Sequence, residues 1–190
     1  MTKMAVFASG HGSNLKALID AMKRKELSAT IELVVSDRSD CYALVRARQE
    51  RIPNFAFHPR EYENRSHYEK LIVAELEKRG VEYLVLAGYM RLVGPTLLER
   101  YPRRIINIHP SLLPLFPGKD AIGQALMAGA TETGVTIHYV DEGMDTGPII
   151  AQKRISIKPG EQRDSLEARV HDVEHRLYPE VLQQIFTGER

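Results

Sequence analysis

Short apolar runs alternate with amphipathic segments along the first two thirds of the chain. After the first run, Leu15, Leu18, Ile19 and Met22 recur at the spacing of one helical face. Uninterrupted apolar runs are typical of parallel strands covered on both sides. Strands are predicted at Met4–Ala8, Ile31–Val35, Asn54–Phe57, Tyr83–Leu86 and Arg104–Ile108. The pattern predicts an α/β protein with a doubly wound, mostly parallel, Rossmann-like sheet.

Further helices are predicted over about Tyr42–Glu50 and in the segment that follows Arg65. In the latter segment Ser66 and Glu69 have the spacing of a capping box, and Gly80 is placed to end the helix. Its predicted apolar face consists of Tyr68, Leu71, Ile72 and Leu76.

The last third of the chain has a different pattern. Two strands, Gly134–Val140 and Ile149–Ile157, are joined by the short acidic segment Asp141–Pro148, so an antiparallel pair is expected. A long helix follows from about Ser165 to Phe186, with Pro179 as a place for a kink. Because no linker or repeat interrupts the sequence, residues 1–190 are predicted to form a single domain with an antiparallel C-terminal extension.

Composition narrows the classes of function. The chain has 43% hydrophobic and 27% charged residues, which is ordinary for a globular domain. A net charge of +1 without a basic run favours neither a nucleic-acid partner nor an anionic membrane. The single cysteine, Cys41, fits a reducing compartment, and we expect the cytoplasm. No run approaches the roughly 20 apolar residues of a membrane span, and no metal site is expected.

The segment Gly10-x-Gly12-Ser13-Asn14 lies between the first strand and the first helix. Glycines allow close approach to an anion, and a helix N-terminus supplies free N–H groups, so a phosphate site is predicted. A dinucleotide loop is the competing interpretation, with Asp37 as its ribose ligand. Leu15 stands where the third glycine of that motif belongs, which favours a monophosphate. A tight turn with a helix cap is the non-functional alternative.

Asn107 and His109 project from the same face of the last parallel strand, which Pro110 ends. An amide donor beside an imidazole suits an oxyanion and can move a proton. Taken alone, the pair also fits a structural turn.

Two other segments offer surfaces for a ligand. The turn from Gly88 to Val93 follows a buried strand. The non-functional alternative is an ordinary strand-to-helix connection with Met90 and Leu92 in the core. The segment Asp141–Asp145 carries three Asp or Glu residues around Gly143. By itself it fits either a metal loop of irregular spacing or a solvated hairpin.

These segments together resemble the glycinamide ribonucleotide branch of the formyl-tetrahydrofolate transferases and hydrolases. The resemblance rests on the GxGSN loop, Leu86-Ala87-Gly88-Tyr89-Met90-Arg91, NIHPSLLP from Asn107, Phe116-Pro117-Gly118 and DEGMDTGP from Asp141. It extends from about Ala5 to Pro179. It implies transfer of a formyl group from 10-formyltetrahydrofolate, a co-substrate, to glycinamide ribonucleotide, without a metal, by a monomer or homodimer.

The resemblance also implies roles for individual residues. The expected catalytic group is Asn107, His109 and Asp145, with Asp145 as the partner of the imidazole. Glycinamide ribonucleotide is expected to bind at Gly12, Ser13, Asn14, His171 and Glu174. Formyl-folate is expected to bind at Arg65, Met90, Arg91, Leu92, Val93, Asn107, Asp141, Glu142, Gly143 and Met144.

Two enzymes that share the motifs are kept as alternatives. A formyltetrahydrofolate hydrolase would use the same catalytic group on water, with an added N-terminal regulatory domain. A methionyl-tRNA formyltransferase would add a basic C-terminal extension, and we expect neither addition. This chain departs from relatives at His11, where Asn is usual and little consequence is expected, and at Asp120, where some relatives have His.

Overall fold

A computed structural model describes all 190 residues. Seven strands form one sheet in the spatial order β3-β2-β1-β4-β5-β6-β7, and all pairs from β3 to β5 are parallel. The last two strands pair antiparallel, as predicted. The strands are β1 (Thr2–Phe7), β2 (Ala29–Ser36), β3 (Asn54–Ala56), β4 (Tyr83–Leu86), β5 (Ile105–His109), β6 (Glu132–Tyr139) and β7 (Ile149–Ser156). The predicted fold class is confirmed.

Helices cover both faces of the sheet. They are α1 (Ser13–Lys23), α2 (Tyr42–Gln49), α3 (Arg65–Lys78), α4 (Pro95–Arg100), α5 (Ala121–Met127) and α6 (Arg163–Phe186), and a short 3₁₀ turn spans Pro59–Glu61. Met4 and Val6 of β1 belong to the cluster of buried residues under α1, α2, α5 and α6, whereas Ala5 and Phe7 belong to the cluster under α3 and α4. This alternation across β1 explains why its sequence is apolar throughout.

The sequence interpretation of α3 was wrong in two details. The helix is capped by Asn64, whose side chain accepts a hydrogen bond from the His67 N–H, and not by a capping box at Ser66 and Glu69. Glu69 is buried and instead accepts the Gly94 N–H at 2.6 Å, at the start of α4. Leu71 is 43% exposed, so it is not part of the buried face. Gly80 follows the helix with a φ of 66°, the left-handed conformation that ends a helix.

The strand order creates a crevice at the carboxyl ends of the central strands. The chain moves outward from β1 to β3 and then returns to place β4 on the other side of β1. The loops after β1 and β4 therefore diverge at this switch point, where open α/β sheets bind ligands. Helix α6 is anchored over it by Tyr178, whose buried hydroxyl donates to the carbonyls of Leu86 at 2.8 Å and Ile106 at 3.1 Å.

Candidate active site

A cleft of about 640 Å³ occupies the switch point. The loops after β1, β4 and β5, the loop between β6 and β7, and the first half of α6 all contribute to it. Most of the residues selected from the sequence line this one cleft: Gly12, Ser13, Asn14, Met90, Arg91, Leu92, Val93, Asn107, His109, Gly143, Met144, Asp145, His171 and Glu174. The fold thus brings together segments that are up to 160 residues apart in sequence, as in the hydrogen bond from Asn14 to Glu174.

Three of the selected residues do not line the cleft: Arg65, Asp141 and Glu142. Arg65 is exposed and packs over Gly94, where an added Cβ would lie 2.5 Å from its Nε. Asp141 shapes its own loop, because its Oδ1 accepts from the Gly143 N–H at 3.0 Å and the Thr146 hydroxyl at 2.6 Å. Glu142 is exposed.

The loop after β1 presents the N-terminus of α1 to the cleft. Gly12 is the N-cap residue with a φ of 77°, and no side chain caps the helix. A Cβ on Gly12 would lie 2.8 Å from the Cα of Ala43, so both the conformation and the packing against α2 require glycine. The first N–H groups of α1 are therefore available to an anion.

His11, for which little consequence was expected, connects this loop to α2. Its ring stacks on Tyr42 of α2 with the centroids 5.1 Å apart. The guanidinium of Arg46 donates to the His11 carbonyl at 2.9 Å and lies 2.8 Å from its Nε2. These contacts of His11 hold the loop against α2.

Asn14 and Glu174 form a buried polar pair beside the loop. The Asn14 Nδ2 donates to the Glu174 Oε2 at 3.3 Å, and the Asn14 Oδ1 is buried without a partner. Burial raises the pKa of Glu174 to about 7; the Asn14 hydrogen bond opposes this rise and the charge of Glu167 adds to it. A buried acceptor without a hydrogen bond lowers the stability of the fold. The Asn14 Oδ1 is therefore suited to accept from a hydroxyl or amine group of a ligand.

Glu174→Gln is expected to abolish a fall in the free energy of unfolding that occurs in the parent as pH rises. The unfolded carboxyl releases its proton near its ordinary pKa of 4.5, whereas the folded one retains it to about 7. Between these values the unfolded state binds fewer protons, so stability falls as pH rises, by at most roughly 3 kcal/mol. Urea unfolding from pH 4.5 to 8 should show this fall in the parent and less of it in the variant. Glu180→Gln, an exposed change on the same helix, is the control; equal slopes in parent and Glu174→Gln would contradict the assignment.

The catalytic candidates meet at the end of β5. Asp145 has a φ of 56°, an uncommon conformation for a residue with a side chain. Its Oδ2 lies 3.4 Å from the His109 Nδ1 and accepts the Gly118 N–H at 2.8 Å. Its Oδ1 lies 3.4 Å from the Asn107 Nδ2. One carboxylate therefore contacts both side chains that project from β5.

His109 is buried, with acceptors at both ring nitrogens. Nδ1 faces Asp145, and Nε2 lies 2.9 Å from the carbonyl oxygen of Phe116. A ring that donates at both nitrogens is an imidazolium, and each nitrogen of His109 faces an oxygen that could accept. Phe116 belongs to the Phe116-Pro117-Gly118 motif, so this contact links that motif to His109 of NIHPSLLP.

His138 is a member of the site that the sequence interpretation missed. It is 2% exposed and pairs with Asn107 across β5 and β6. Its Nδ1 donates to the Tyr139 carbonyl at 2.8 Å, so in a neutral ring Nε2 accepts from the Asn107 amide at 3.2 Å. Only a doubly protonated His138 would donate to the Asp145 Oδ1, 3.6 Å away. Burial raises the pKa of Asp145, but the contacts with His138, Gly118 and His109 bring it below the ordinary value.

The other departure, Asp120, has a structural role. It adopts a φ of 55°, caps α5 by accepting the Gly123 N–H at 3.3 Å, and pairs with Arg163 of α6 at 2.6 Å. The pKa of Asp120 is lowered chiefly by the hydrogen bond from Arg163. This pair joins two walls of the cleft. No group of three or more His, Cys, Asp or Glu side chains is arranged to hold a metal ion.

Comparison with known proteins identifies the family of the chain. Residues 2–182 match the model of the formyl transferase family, and the chain belongs to that family. A phosphoribosylglycinamide formyltransferase of Bacillus subtilis is 51% identical over 97% of this chain and 95% of its own. The crystal structure of glycinamide ribonucleotide transformylase 1 from Geobacillus kaustophilus has a TM-score of 0.95 at 55% identity and covers 97% of this chain and 98% of that one. That of phosphoribosylglycinamide formyltransferase from Bacillus halodurans has a TM-score of 0.96 at 46% identity, over 100% and 97%. The resemblance inferred from the motifs is confirmed.

Proposed function

We propose that this protein transfers the formyl group of 10-formyltetrahydrofolate to the amine of phosphoribosylglycinamide, a step of purine synthesis. The observation that supports this most directly is the convergence of Asn107, His109 and Asp145 in one cleft. A helix N-terminus suited to phosphate borders the cleft on one side. On the other side lie the exposed apolar side chains of Met90, Leu92 and Met144, which suit a flat ring system.

The ribonucleotide is assigned to the side formed by the loop after β1 and by α6. Its phosphate binds at the N–H groups of Gly12, Ser13 and Asn14, where the helix end favours an anion. Its ribose hydroxyls satisfy the Asn14 Oδ1 and Glu174, with His171 next to them. Formyl-folate is assigned to Met90, Arg91, Leu92, Val93, Gly143 and Met144, with Asn107 at the formyl group. Arg65, Asp141 and Glu142 are assigned to the outer rim of that site.

The reaction begins when the free amine of the ribonucleotide attacks the formyl carbon. The carbonyl electrons move to oxygen, and the oxyanion is stabilised by the Asn107 amide and the His109 cation. The oxyanion electrons then re-form the carbonyl and the C–N10 bond of the folate breaks. N10 takes a proton from His109 or from water, and the proton that the attacking nitrogen loses passes through water to that same donor. Asp145 orients the imidazole, and its negative charge stabilises the imidazolium while the oxyanion is present. Both reactants are small molecules, and folate is a co-substrate.

The enzyme is proposed to act as a single formyltransferase domain over residues 1–190, as a monomer or homodimer. We place it in the cytoplasm, where its one free cysteine, the buried Cys41, would stay reduced. None of its helices has the combination of length and apolarity needed to cross a bilayer.

The test is an assay of the purified protein with 10-formyltetrahydrofolate and three acceptors in turn: phosphoribosylglycinamide, methionyl-tRNA and water alone. We expect formylated ribonucleotide and tetrahydrofolate in equal amounts in the first case only. Release of formate at the same rate without the ribonucleotide would identify a hydrolase. Formylated tRNA would identify the other alternative enzyme.

Ser13→Asp is expected to weaken ribonucleotide binding and leave folate binding nearly unchanged. The new carboxylate would occupy the phosphate position, and like charges about 4 Å apart repel by about 1 to 4 kcal/mol, so affinity should fall roughly tenfold or more. Calorimetric titration with each substrate separately measures this. Ser66→Asp, the same change in the first turn of α3 outside the cleft, is the control. Unchanged ribonucleotide affinity in Ser13→Asp would mean that the loop is only a turn.

A further inference from the structure

Asp37 is a buried carboxylate at the end of β2 that the reaction does not use. It is 7% exposed and does not line the cleft. Its Oδ1 accepts the Ser9 hydroxyl at 2.5 Å, and its Oδ2 accepts the Arg91 Nε at 3.1 Å. Both oxygens are thus engaged within the protein, which argues against a role as the ribose ligand of a dinucleotide.

Ser9 joins this carboxylate to the loop after β4. It is 2% exposed, its N–H donates to the Gly88 carbonyl at 3.1 Å, and its hydroxyl oxygen accepts the Met90 N–H at 2.9 Å. With the bond from Arg91 to Asp37, three positions of the loop, Gly88, Met90 and Arg91, are tied to the ends of β1 and β2. We call Ser9 and Asp37 the strand-end relay.

Apart from Tyr89, whose ring packs edge-on against Phe7 with the centroids 5.3 Å apart, the loop has little apolar contact to order it. Gly88 has a φ of 79°, Met90 and Leu92 are 62% and 45% exposed, and Val93 is the next buried residue. A loop with so little apolar burial has to be ordered when a ligand binds, and that ordering reduces affinity. Hydrogen bonds that already order the loop in the free protein reduce this cost of binding.

We propose that Asp37 and Ser9 are positioning residues that preorganise the Gly88–Val93 loop for formyl-folate. The inference rests on the proposed function, which assigns this loop to the folate. Neither residue needs to touch the substrate. Their effect is transmitted through the Met90 backbone and the Arg91 side chain. It should be larger for formyl-folate than for the ribonucleotide, because the side chains of Ser9 and Asp37 make no hydrogen bond to the Gly10–Asn14 segment.

The link to Arg91 is ionic. Arg91 is the one cation paired with Asp37, and its side chain is 44% exposed while that of Asp37 is 6% exposed. Hydrogen bonds between charged partners are the stronger kind. A buried carboxylate that loses its only cation is left uncompensated. Changes at the two positions should therefore be non-additive.

The experiment compares Asp37→Asn and Ser9→Ala with the parent. Steady-state kinetics give kcat and KM for each substrate, and direct folate titration checks that KM reports binding. We expect the KM for formyl-folate to rise roughly 2- to 30-fold. The KM for the ribonucleotide and kcat should stay within about twofold. Asp40→Asn is the matched control, since Asp40 is exposed in the same segment and pairs only with Arg38, at 3.5 Å.

An Arg91→Gln background tests the ionic link, because Asp37→Asn should have a smaller effect on folate KM there. If Asp37→Asn does not fold, Ser9→Ala alone and combined with Arg91→Gln tests the same contacts. Unchanged folate KM and affinity in folded variants overturns the inference. A lower KM also overturns it, because Asp37 would then compete with folate for Arg91. If the parent itself transfers no formyl group, the proposed function fails; if it does and the variants match it, only the relay fails.

Discussion

Asp145→Asn is expected to lower kcat by roughly 10² to 10⁴, the range that a positioned acid–base group contributes. Affinity for both substrates should change little. The carboxylate contacts three donor groups, the Gly118 N–H, His109 and Asn107, and its Oδ1 lies 3.6 Å from the His138 Nε2. Asparagine has only one acceptor oxygen. Its N–H₂ group would replace one carboxylate oxygen of Asp145 and face a hydrogen-bond donor. It also removes the charge that stabilises the imidazolium.

The expected cause is a smaller population of charged His109 at neutral pH, which weakens both oxyanion stabilisation and proton donation. NMR titration of the His109 ring in parent and variant, together with single-turnover rates, measures cause and effect separately. Asp40→Asn serves as the control. Identical ring titration in parent and Asp145→Asn would show that Asp145 does not govern the charge of His109.

Acid stability gives a second readout for Asp145. Because the folded pKa of this carboxyl is lowered, its ionised form stabilises the fold above its ordinary pKa of 3.8, and that contribution is lost as pH falls through the folded pKa. Asp145→Asn cannot show this loss. The variant should therefore unfold with a flatter pH dependence below about pH 4.

The sheet and most of the cleft were predictable because parallel strands have a local signature. Apolar runs without alternation identified β1, β2, β4 and β5, and consecutive parallel strands end at the same edge of the sheet. The loops after β1, β4 and β5 were therefore expected to meet. Asn107 and His109 could be placed there because their spacing puts both side chains on one face.

His138 could not be placed in the same way. The antiparallel pairing was predictable, but the register that sets Asn107 opposite His138 depends on how β6 packs. A slip by one residue would have put Ile137 there instead. No sequence motif distinguished His138, and only the strand pairing places it in the site.

Short helices and caps were missed for a different reason. Helices α4 and α5 have six and seven residues, too few to show a periodic apolar face. Glu69 has the chemistry of a capping residue, but its target is the Gly94 N–H of another helix. Local sequence indicates what a side chain can do, whereas its partner is decided by tertiary packing.

Asn107→Ala is the second large effect expected, with kcat lower by roughly 10² to 10³, the usual loss when one oxyanion donor is removed. KM should change little, since the bond to oxygen forms chiefly in the transition state. In the free protein the Asn107 amide nitrogen lies 3.2 Å from His138 and 3.4 Å from Asp145. The contact with Asp145 is long, so the Asn107 amide can direct one hydrogen toward the substrate. The contact with His138 holds the amide in that orientation.

The measurement is steady-state kinetics at saturating concentrations of each substrate in turn. Asn54→Ala, an exposed change in β3 away from the cleft, is the control and should leave both parameters unchanged. A separate Asn107→Asp variant keeps the shape and removes the donor, so it should be at least as slow as Asn107→Ala. A rise in folate KM with kcat intact would mean that Asn107 binds ground-state folate only. The oxyanion would then have to be stabilised by His109 alone.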